Sequence, residues 1–260
     1  MVNLRLESLG ASYGAIRVLD GITTPEFVSG EVVAVLGPNA AGKSTLLRRM
    51  AGMMRGDGRV VIDGAEACDN AFSYLPQDTG MGGMITVFES VLLACKQSGS
   101  WRLGAADLDR VEKTLDDLDL LSFASRYLGD LSGGQRQLAG IAQCLVREPK
   151  ILLMDEPTSA LDLYHQIDVL TLVRKLALER GMIVIAALHD LNLTLRHTDQ
   201  VLVILNGRFY ACGPSIEVVR PEMLRDVYKV SARVEPCTGG FRHVIVDAVL
   251  RDDALVEREG

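Results

Sequence analysis

Short runs of consecutive apolar residues alternate along the chain with segments whose apolar residues recur at helical spacing. This alternation is typical of an α/β fold with a mostly parallel sheet. Three apolar runs, at 32–36, 151–154 and 182–188, are too short for helices and rich in valine, isoleucine and leucine. Because their apolar residues occupy successive positions, we predict strands that are covered on both faces.

A polar or glycine-rich break follows each of these runs, namely the loop from Gly37, the pair Asp155 and Glu156, and His189. In open parallel sheets, ligands bind beyond the carboxyl ends of the strands. We therefore predict that these residues lie in one crevice.

The interval between the first two runs has a helical character, since 86–97 and 133–146 both have apolar residues at helical spacing. A further set has the spacing of one helix face: Leu108, Val111, Leu115, Leu118 and Leu121. We predict a helical subdomain over 85–147, inserted into an α/β core formed by 1–84 and 148–230.

Turn residues organise the last part of the chain. Asn206-Gly207 between two apolar stretches predicts a β-hairpin, and Pro221 predicts a short helix that ends near Tyr228. The segment 234–249 is expected to add peripheral strands. We interpret 231–260 as a C-terminal extension of a single domain that spans 1–260.

Composition and charge narrow the function classes. The chain has 260 residues, 48% of them hydrophobic and 23% charged, which is typical of a globular protein. Its net charge of −7 argues against nonspecific binding to nucleic acid or to an anionic lipid surface. Any polyanion that it binds is therefore expected to be small and held by local geometry.

The cysteines and the apolar segments exclude further classes. The five cysteines are widely spaced and form no CxxC pair, so neither a disulfide framework nor a zinc site is expected. The N-terminus lacks the apolar region of a secretory signal. The run 182–188 is much shorter than the roughly 20 residues that a membrane span needs, so we expect no membrane crossing.

The clearest motif comprises Gly37, Pro38, Asn39, Ala40, Ala41, Gly42, Lys43 and Ser44. It matches GxxxxGK[ST], follows a predicted strand and begins the helical stretch 43–51, which is the context that a phosphate-binding P-loop requires. Backbone N–H groups and the helix N-terminus would bind phosphate oxygens, with Lys43 on the β and γ phosphates and Ser44 on Mg²⁺. The alternative is a strand-to-helix turn that carries an accidental lysine.

A second motif delivers two adjacent carboxylates, Asp155 and Glu156, at the end of an apolar strand. Because consecutive strand residues point in opposite directions, we predict that one carboxylate serves Mg²⁺ and the other activates a water as general base. The alternative is a pair of solvated carboxylates. An independent P-loop in the same chain favours the catalytic interpretation.

The segment Leu131-Ser132-Gly133-Gly134-Gln135 completes a resemblance to ATP-binding cassette (ABC) transporter ATPase subunits, which covers about 3–230. The resemblance implies a P-loop NTPase fold of RecA-like type, with an antiparallel β part, and it implies ATP and Mg²⁺ as cofactors. Asp155 is then the metal-binding carboxylate and Glu156 the base. The remaining P-loop positions, including Thr45, are implied to bind ATP.

Four further segments match the family in order. Tyr13 matches the aromatic residue that stacks on adenine, and Gln77 matches the Q-loop, which contacts Mg²⁺ and senses the membrane partner. The D-loop is matched by Ser159-Ala160-Leu161-Asp162, and His189 matches the switch histidine on the γ-phosphate. Without the family context, Tyr13, Gln77 and His189 would be an ordinary surface aromatic, loop amide and capping or core histidine.

The resemblance also implies an ATP-dependent homodimer. Ser132, Gly133 and Gly134 begin a predicted helix, whose N-terminus is a second anion-binding site. In the family, two cassettes pack head to tail, so this segment, with Gln135, closes on the nucleotide bound by the partner.

Two features depart from the commonest motif sequences of the family. Ala40 stands where most members have glycine, and it would be strained if that position requires a positive φ. The residues from Arg136 onward also differ from the most frequent continuation of the signature.

The spacing of the motifs argues for a particular kind of cassette. The interval from Lys43 to Ser132 is too short for a long coiled coil, and one P-loop with one signature excludes a tandem protein. The sequence after the D-loop, including His165-Gln166, resembles the corresponding sequence in the ATPases of importers for ferric siderophores, haem and cobalamin. His165 also has the simpler interpretation of a polar residue in a first helical turn.

This resemblance implies a peripheral ATPase on the cytoplasmic face of the inner membrane. It would serve a separate polytopic permease and, indirectly, an extracytoplasmic substrate-binding protein, with no nucleic acid as partner. Two alternatives remain open. One is an ABC ATPase for another cargo, such as branched-chain amino acids or lipopolysaccharide, and the other is a soluble ABC scaffold like those in iron–sulfur assembly.

Overall fold

The computed structural model describes residues 2–63, 71–77, 84–96, 103–159 and 161–250. In these ranges the strands are β1 (Asn3–Glu7), β2 (Leu9–Tyr13), β3 (Ile16–Ile22), β4 (Phe27–Val28), β5 (Val32–Leu36), β6 (Arg59–Asp63), β7 (Phe72–Leu75), β8 (Ile151–Asp155), β9 (Ile183–Ala187), β10 (Gln200–Leu205), β11 (Arg208–Pro214), β12 (Val230–Pro236) and β13 (Arg242–Val249). The α-helices are α1 (Lys43–Met50), α2 (Val87–Lys96), α3 (Ala105–Asp116), α4 (Gly133–Leu145), α5 (Leu163–Arg180), α6 (Leu191–His197), α7 (Ser215–Val218) and α8 (Pro221–Tyr228).

The main sheet has the strand order β11-β10-β5-β9-β8-β7. All neighbours pair in parallel except β11, which closes one edge as the antiparallel partner of β10. Val35 of β5 and Asp155 of β8 both pair with Ala187 of β9. The three strands therefore end at the same edge of the sheet, and the predicted mostly parallel α/β fold is confirmed.

The central strands are buried on both faces, as their uninterrupted apolar sequences predicted. In β5, Val32, Ala34 and Leu36 belong to a core cluster on the side of α2–α5. Val33 and Val35 face the opposite cluster, which contains residues of α1 and β1. Alternate residues thus enter different cores, and each strand holds the two layers together.

An antiparallel part packs beside the P-loop side of the main sheet. It consists of the three-stranded sheet β4-β1-β6 and the hairpin β2-β3. Leu19 of β3 is fully buried, and a Cβ on Gly42 would lie 2.8 Å from its Cδ2 atom. The antiparallel part therefore forms one wall of the loop that precedes α1.

Between β7 and β8, the described residues form α2, α3, α4 and the 3₁₀ turns Leu121–Phe123 and Leu128–Asp130. The predicted helix at 86–97 corresponds to α2, and Gln97 lies outside the described residues. The prediction of one helix face through Leu121 is wrong. Helix α3 ends at Asp116, and Asp119 adopts a positive φ of 56°, so the chain turns and Leu121 is exposed.

The C-terminal elements follow the predicted turns. Asn206 and Gly207 both have positive φ at the β10–β11 turn, and Pro221 occupies the first turn of α8. The predicted peripheral strands are the antiparallel hairpin β12–β13, which begins earlier than expected, at Val230. Among the described residues, every helix is too short or too polar to span a bilayer.

Candidate functional site

The loop between β5 and α1 is shaped by close backbone packing. A Cβ on Gly37 would lie 2.3 Å from the carbonyl oxygen of Ile204, so only glycine fits there. Gly42 has φ 103°, which also favours glycine. The loop delivers the chain to the first turn of α1, where free N–H groups and the helix dipole attract anions.

Lys43 is the first residue of α1, and it is buried. Its Nζ atom donates hydrogen bonds to the carbonyl oxygens of Gly37, at 2.9 Å, and Pro38, at 3.2 Å. Burial lowers the pKa of Lys43, and the nearby carboxylates of Glu156 and Asp155 oppose that shift. The loop thus holds an ammonium group at the N-terminus of α1.

Ala40 adopts a left-handed conformation with φ 62°. The sequence analysis expected strain at this alanine if the position required a positive φ. A left-handed conformation destabilises the folded state by about 1–2 kcal/mol when the residue is alanine. A glycine avoids this strain but lowers the free energy of unfolding by about 0.4–1 kcal/mol, because it gives the unfolded chain more conformational entropy. We expect Ala40→Gly to raise the free energy of unfolding by about 0.5 kcal/mol in a denaturant titration. Ala41→Gly is the control, because Ala41 is buried and has no positive φ, and this change should be destabilising. Equal destabilisation by both changes would contradict strain at Ala40.

Asp155 is the last residue of β8 and is almost fully buried. Its Oδ1 atom accepts a hydrogen bond of 2.9 Å from the Ser44 hydroxyl, and its Oδ2 atom accepts one of 3.0 Å from the Tyr74 hydroxyl. Burial, the leading cause, raises the pKa of Tyr74. The carboxylate is thus held beside the first turn of α1, with oxygen donors of the kind that hard divalent cations prefer.

Glu156 lies just after β8 and adopts φ 50°. Its Oε2 atom accepts a hydrogen bond of 2.7 Å from Gln77 Nε2, and its Oε1 atom contacts His189 Nε2. Three residues predicted to be catalytic therefore meet at one carboxylate. Asp155 and Glu156 do point to different places, as predicted, but the alternation of strand residues is not the reason. The strand ends at Asp155, and the left-handed conformation of Glu156 redirects the chain.

An open cleft of about 720 Å³ lies over these groups. It is lined by Val18, Asn39, Ala40, Gly42, Lys43, Ser44, Thr45, Gln77, Glu156 and His189. The crevice expected beyond the three strands is thus present, but the buried Asp155 is not among its lining residues. Its size and its mixture of a basic, a hydroxyl-bearing and an acidic group suit a phosphate ester with a divalent cation.

Tyr13 does not belong to the lining of this cleft. It is 48% exposed at the end of β2. The pKa of Arg48 is raised first by a hydrogen bond to Tyr74 and then by Tyr13, so this ring lies near the guanidinium. Its stacking on adenine stays a prediction.

Two residues near the cleft escaped the sequence analysis. Val18 of β3 belongs to its lining, and Tyr74 of β7 holds Asp155. Tyr74 precedes Gln77 on a short strand, but nothing in its residue type distinguishes it. Only the parallel pairing of β7 with β8 brings its hydroxyl to the carboxylate.

The segment Ser132 to Gln135 begins α4 and lies outside the cleft lining. The Gln135 N–H donates to Ser132 Oγ, and the Ser132 N–H donates to Gln135 Oε1, which is a capping box. Gly133 and Gly134 occupy the first helical turn, where N–H groups have no partner within the helix. This segment is therefore a second N-terminus suited to anions.

Asp162 is the N-cap of α5, and Ala160 of the predicted D-loop lies outside the described residues. The Asp162 Oδ1 atom accepts from the His165 N–H at 3.0 Å and contacts its Nδ1 at 2.7 Å. The backbone hydrogen bond from His165 is the main cause of the lowered pKa of Asp162. Gln166 Nε2 donates to the carbonyl oxygens of Thr158 and Leu161. His165 and Gln166 thus hold the loop that follows Glu156.

His165 also explains why a side chain does not fit at Gly134. A Cβ at this glycine would lie 2.4 Å from His165 Cδ2. We expect Gly134→Ala to lower the free energy of unfolding by about 1–3 kcal/mol, because the imidazole must move.

The double variant Gly134→Ala/His165→Ala should be about as stable as His165→Ala alone, as measured by chemical unfolding. Gly129→Ala is the control, since a Cβ at Gly129 meets no atom of the described residues within 4 Å. If the double variant lost as much free energy of unfolding as the two single variants together, the clash would be ruled out.

Comparison with known proteins gives one consistent family. Residues 23–159 match the family model described as ABC transporter. The hemin import ATP-binding protein HmuV of Bradyrhizobium diazoefficiens is 37% identical over 87% of this chain and 88% of its own length. The iron(3+)-hydroxamate import ATP-binding protein FhuC of Bacillus subtilis is 32% identical over 98% of this chain and 99% of its own.

Solved structures agree with these relatives. An ABC transporter assigned to the metal-chelate type, solved in an inward-facing conformation, superposes with a TM-score of 0.85 at 28% identity. The match covers 95% of this chain and 98% of that chain. The likeness therefore extends over nearly the whole chain and is not confined to the motifs.

Proposed function

The chain belongs to the ABC transporter ATP-binding family, and from this premise we propose that it powers a separate permease importing a ferric siderophore, haem or cobalamin. The convergence of Gln77 and His189 on Glu156, beside Lys43, is the observation that carries the hydrolytic part of the proposal. The cargo class is supported by relatives named for hemin and iron(3+)-hydroxamate import.

ATP is bound through its phosphates in this proposal. The loop from Gly37 to Gly42 offers backbone N–H groups, α1 offers its positive end, and Lys43 offers a charge already held near the cleft. We propose that Thr45 and Asn39, which also line the cleft, complete the phosphate contacts. Tyr13 is proposed to bind the adenine.

Mg²⁺ is the proposed metal, and the donors beside Lys43 fit it. The Ser44 hydroxyl and Asp155 carboxylate lie 2.9 Å apart, and Gln77 has an amide oxygen in the same cleft. Hydroxyl, carboxylate and amide oxygens are ligands that this ion prefers. When bound, Mg²⁺ neutralises charge on the phosphates.

Glu156 is the proposed general base for the attacking water. Gln77 orients one of its carboxylate oxygens, and His189 contacts the other. Each carboxylate oxygen of Glu156 has a second lone pair, which can accept the proton of a water. We propose that His189 then turns to the γ-phosphate, so that removal of the proton depends on a bound triphosphate.

Dimerisation supplies the rest of the proposed site. Ser132, Gly133 and Gly134 lie outside this chain's own cleft, and their helix N-terminus suits an anion. We propose that this segment caps the γ-phosphate bound by the partner and that Asp162 holds the adjoining loop in register. ATP then joins two copies, and hydrolysis separates them.

The permease part of the proposal is supported by an exposed apolar groove of about 500 Å³ on α2. Met84, Leu93 and Leu103 are exposed there, and such patches typically mark protein interfaces. We propose that the protein is peripheral, on the cytoplasmic face of the membrane, with an extracytoplasmic binding protein presenting the cargo to the permease.

The test is purification of the protein from native membranes with identification of the proteins that accompany it. A polytopic permease is the expected result, and reconstituted ATPase activity should be stimulated by the chelate with its binding protein. If another cargo stimulated the ATPase activity, that cargo would replace the metal chelate in the proposal. Only soluble partners, such as those of iron–sulfur assembly, would overturn the transport proposal.

A further inference from the structure

The C-terminal unit, defined as α8 together with the hairpin β12–β13, makes hydrogen bonds to two segments that adjoin residues of the cleft. Tyr228 contacts the start of the P-loop, and Val244 contacts the helix that follows His189. We propose that this unit is a positioning element of the nucleotide site, acting on the P-loop through Tyr228 and on His189 through Asn192. The inference rests on the roles proposed above for the P-loop and His189.

Tyr228 is the last residue of α8, and its hydroxyl accepts a hydrogen bond of 3.1 Å from the Gly37 N–H. Gly37 already lies against the Ile204 carbonyl, so its peptide is held on two sides. The carbonyl oxygens of Gly37 and Pro38 in turn bind Lys43 Nζ. Tyr228 therefore acts on the position of the lysine through the backbone of Gly37, whose N–H donates to it and whose carbonyl binds Lys43.

The ring of Tyr228 is well suited to this contact. Burial raises the pKa of Tyr228 to about 12, so the hydroxyl is neutral at physiological pH. Helix α8 is itself fixed, because Met223, Leu224 and Val227 are buried in the core. On its outer side, the Tyr210 hydroxyl donates a hydrogen bond of 2.7 Å to Asp226.

Asn192 makes the second contact. Its Oδ1 atom accepts a hydrogen bond of 2.8 Å from the Val244 N–H, and its Nδ2 atom donates one of 3.4 Å to the Val244 carbonyl. The side-chain amide thus pairs with β13 much as a neighbouring strand would. Val244 is buried in the same core cluster as residues of α8, so the hairpin is anchored.

Asn192 is the second residue of α6 and lies in its first turn. The N-cap residue Asp190 accepts hydrogen bonds from the N–H groups of Asn192, at 2.7 Å, and Leu193, at 2.9 Å. His189 precedes this cap and reaches Glu156. The hairpin therefore holds the helix N-terminus from which the histidine projects.

The two contacts predict different kinetic effects, which a general loss of stability would not produce. In the full chain with Mg-ATP, we expect Tyr228→Phe to raise KM about three- to tenfold with kcat within twofold. We expect Asn192→Ala to lower kcat about three- to tenfold with KM within twofold. These ranges correspond to the loss of one or two uncharged hydrogen bonds.

Matched controls separate positioning from folding. Tyr210→Phe removes the same hydroxyl from a tyrosine that contacts α8 away from the cleft, and both parameters should stay within twofold. Asn192→Asp keeps the acceptor for the Val244 N–H but loses the donor to the Val244 carbonyl, so it should restore only part of kcat. Thermal unfolding of each variant gives its folded fraction, and the measured rates are corrected for that fraction.

Tyr228→Phe behaving like Tyr210→Phe, or Asn192→Ala leaving kcat unchanged, would overturn the inference while the wild type still hydrolyses ATP. Parallel changes of both parameters that follow the loss of folded protein would also overturn it. A wild type that fails to hydrolyse ATP would instead overturn the proposed function, and this inference with it.

Discussion

Replacing Glu156 with glutamine is expected to slow ATP hydrolysis by about 10²-fold or more while ATP binding is retained. Glutamine has nearly the same shape as glutamate, so the contacts with Gln77 and His189 are largely kept. Its amide cannot accept the proton of an attacking water. The nucleotide should therefore stay intact, and size-exclusion chromatography with Mg-ATP should show a trapped dimer.

Glu148→Gln is the matched control for this prediction. Glu148 lies before β8, at the opposite end of the strand from Glu156, and it is exposed. The same chemical change there should leave turnover and dimerisation as in the wild type. If Glu156→Gln hydrolysed ATP at the wild-type rate, Glu156 would not be the base.

Lys43→Ala is expected to weaken ATP binding about 10- to 100-fold and to reduce hydrolysis with it, since a hydrogen bond from a charged group contributes roughly 1.5–3 kcal/mol. Lys43 is 6% exposed and held by two carbonyl oxygens of its own loop, so its charge is already positioned. Titration with a fluorescent ATP analogue measures the affinity, and phosphate release measures the rate.

Lys175→Ala is the control, because Lys175 is exposed on α5 and forms a long ion pair with Glu179. It removes one positive charge without touching the cleft and should leave affinity unchanged. Thermal unfolding should show that Lys43→Ala stays folded. Nucleotide affinity equal to that of the wild type would contradict phosphate binding by Lys43.

Much of the cleft followed from local patterns. The uninterrupted apolar runs predicted buried parallel strands, and the breaks after them gave Lys43, Asp155, Glu156 and His189 as neighbours. Two details did not follow. The left-handed conformation of Glu156 depends on how β8 ends, and the contact of Tyr74 with Asp155 depends on which strand lies beside β8.

The order of residues alone determined that 37–44 joins a buried strand to a helix, and it predicted a phosphate site there, because glycine torsions, apolar periodicity and helix N-termini are local properties. Only the tertiary structure decided which atoms of Gln77 and His189 contact Glu156 and that Tyr228 supports Gly37, which is 191 residues away in the chain. Such contacts depend on strand order and register, through which packing of the whole core brings distant segments to one edge of the sheet.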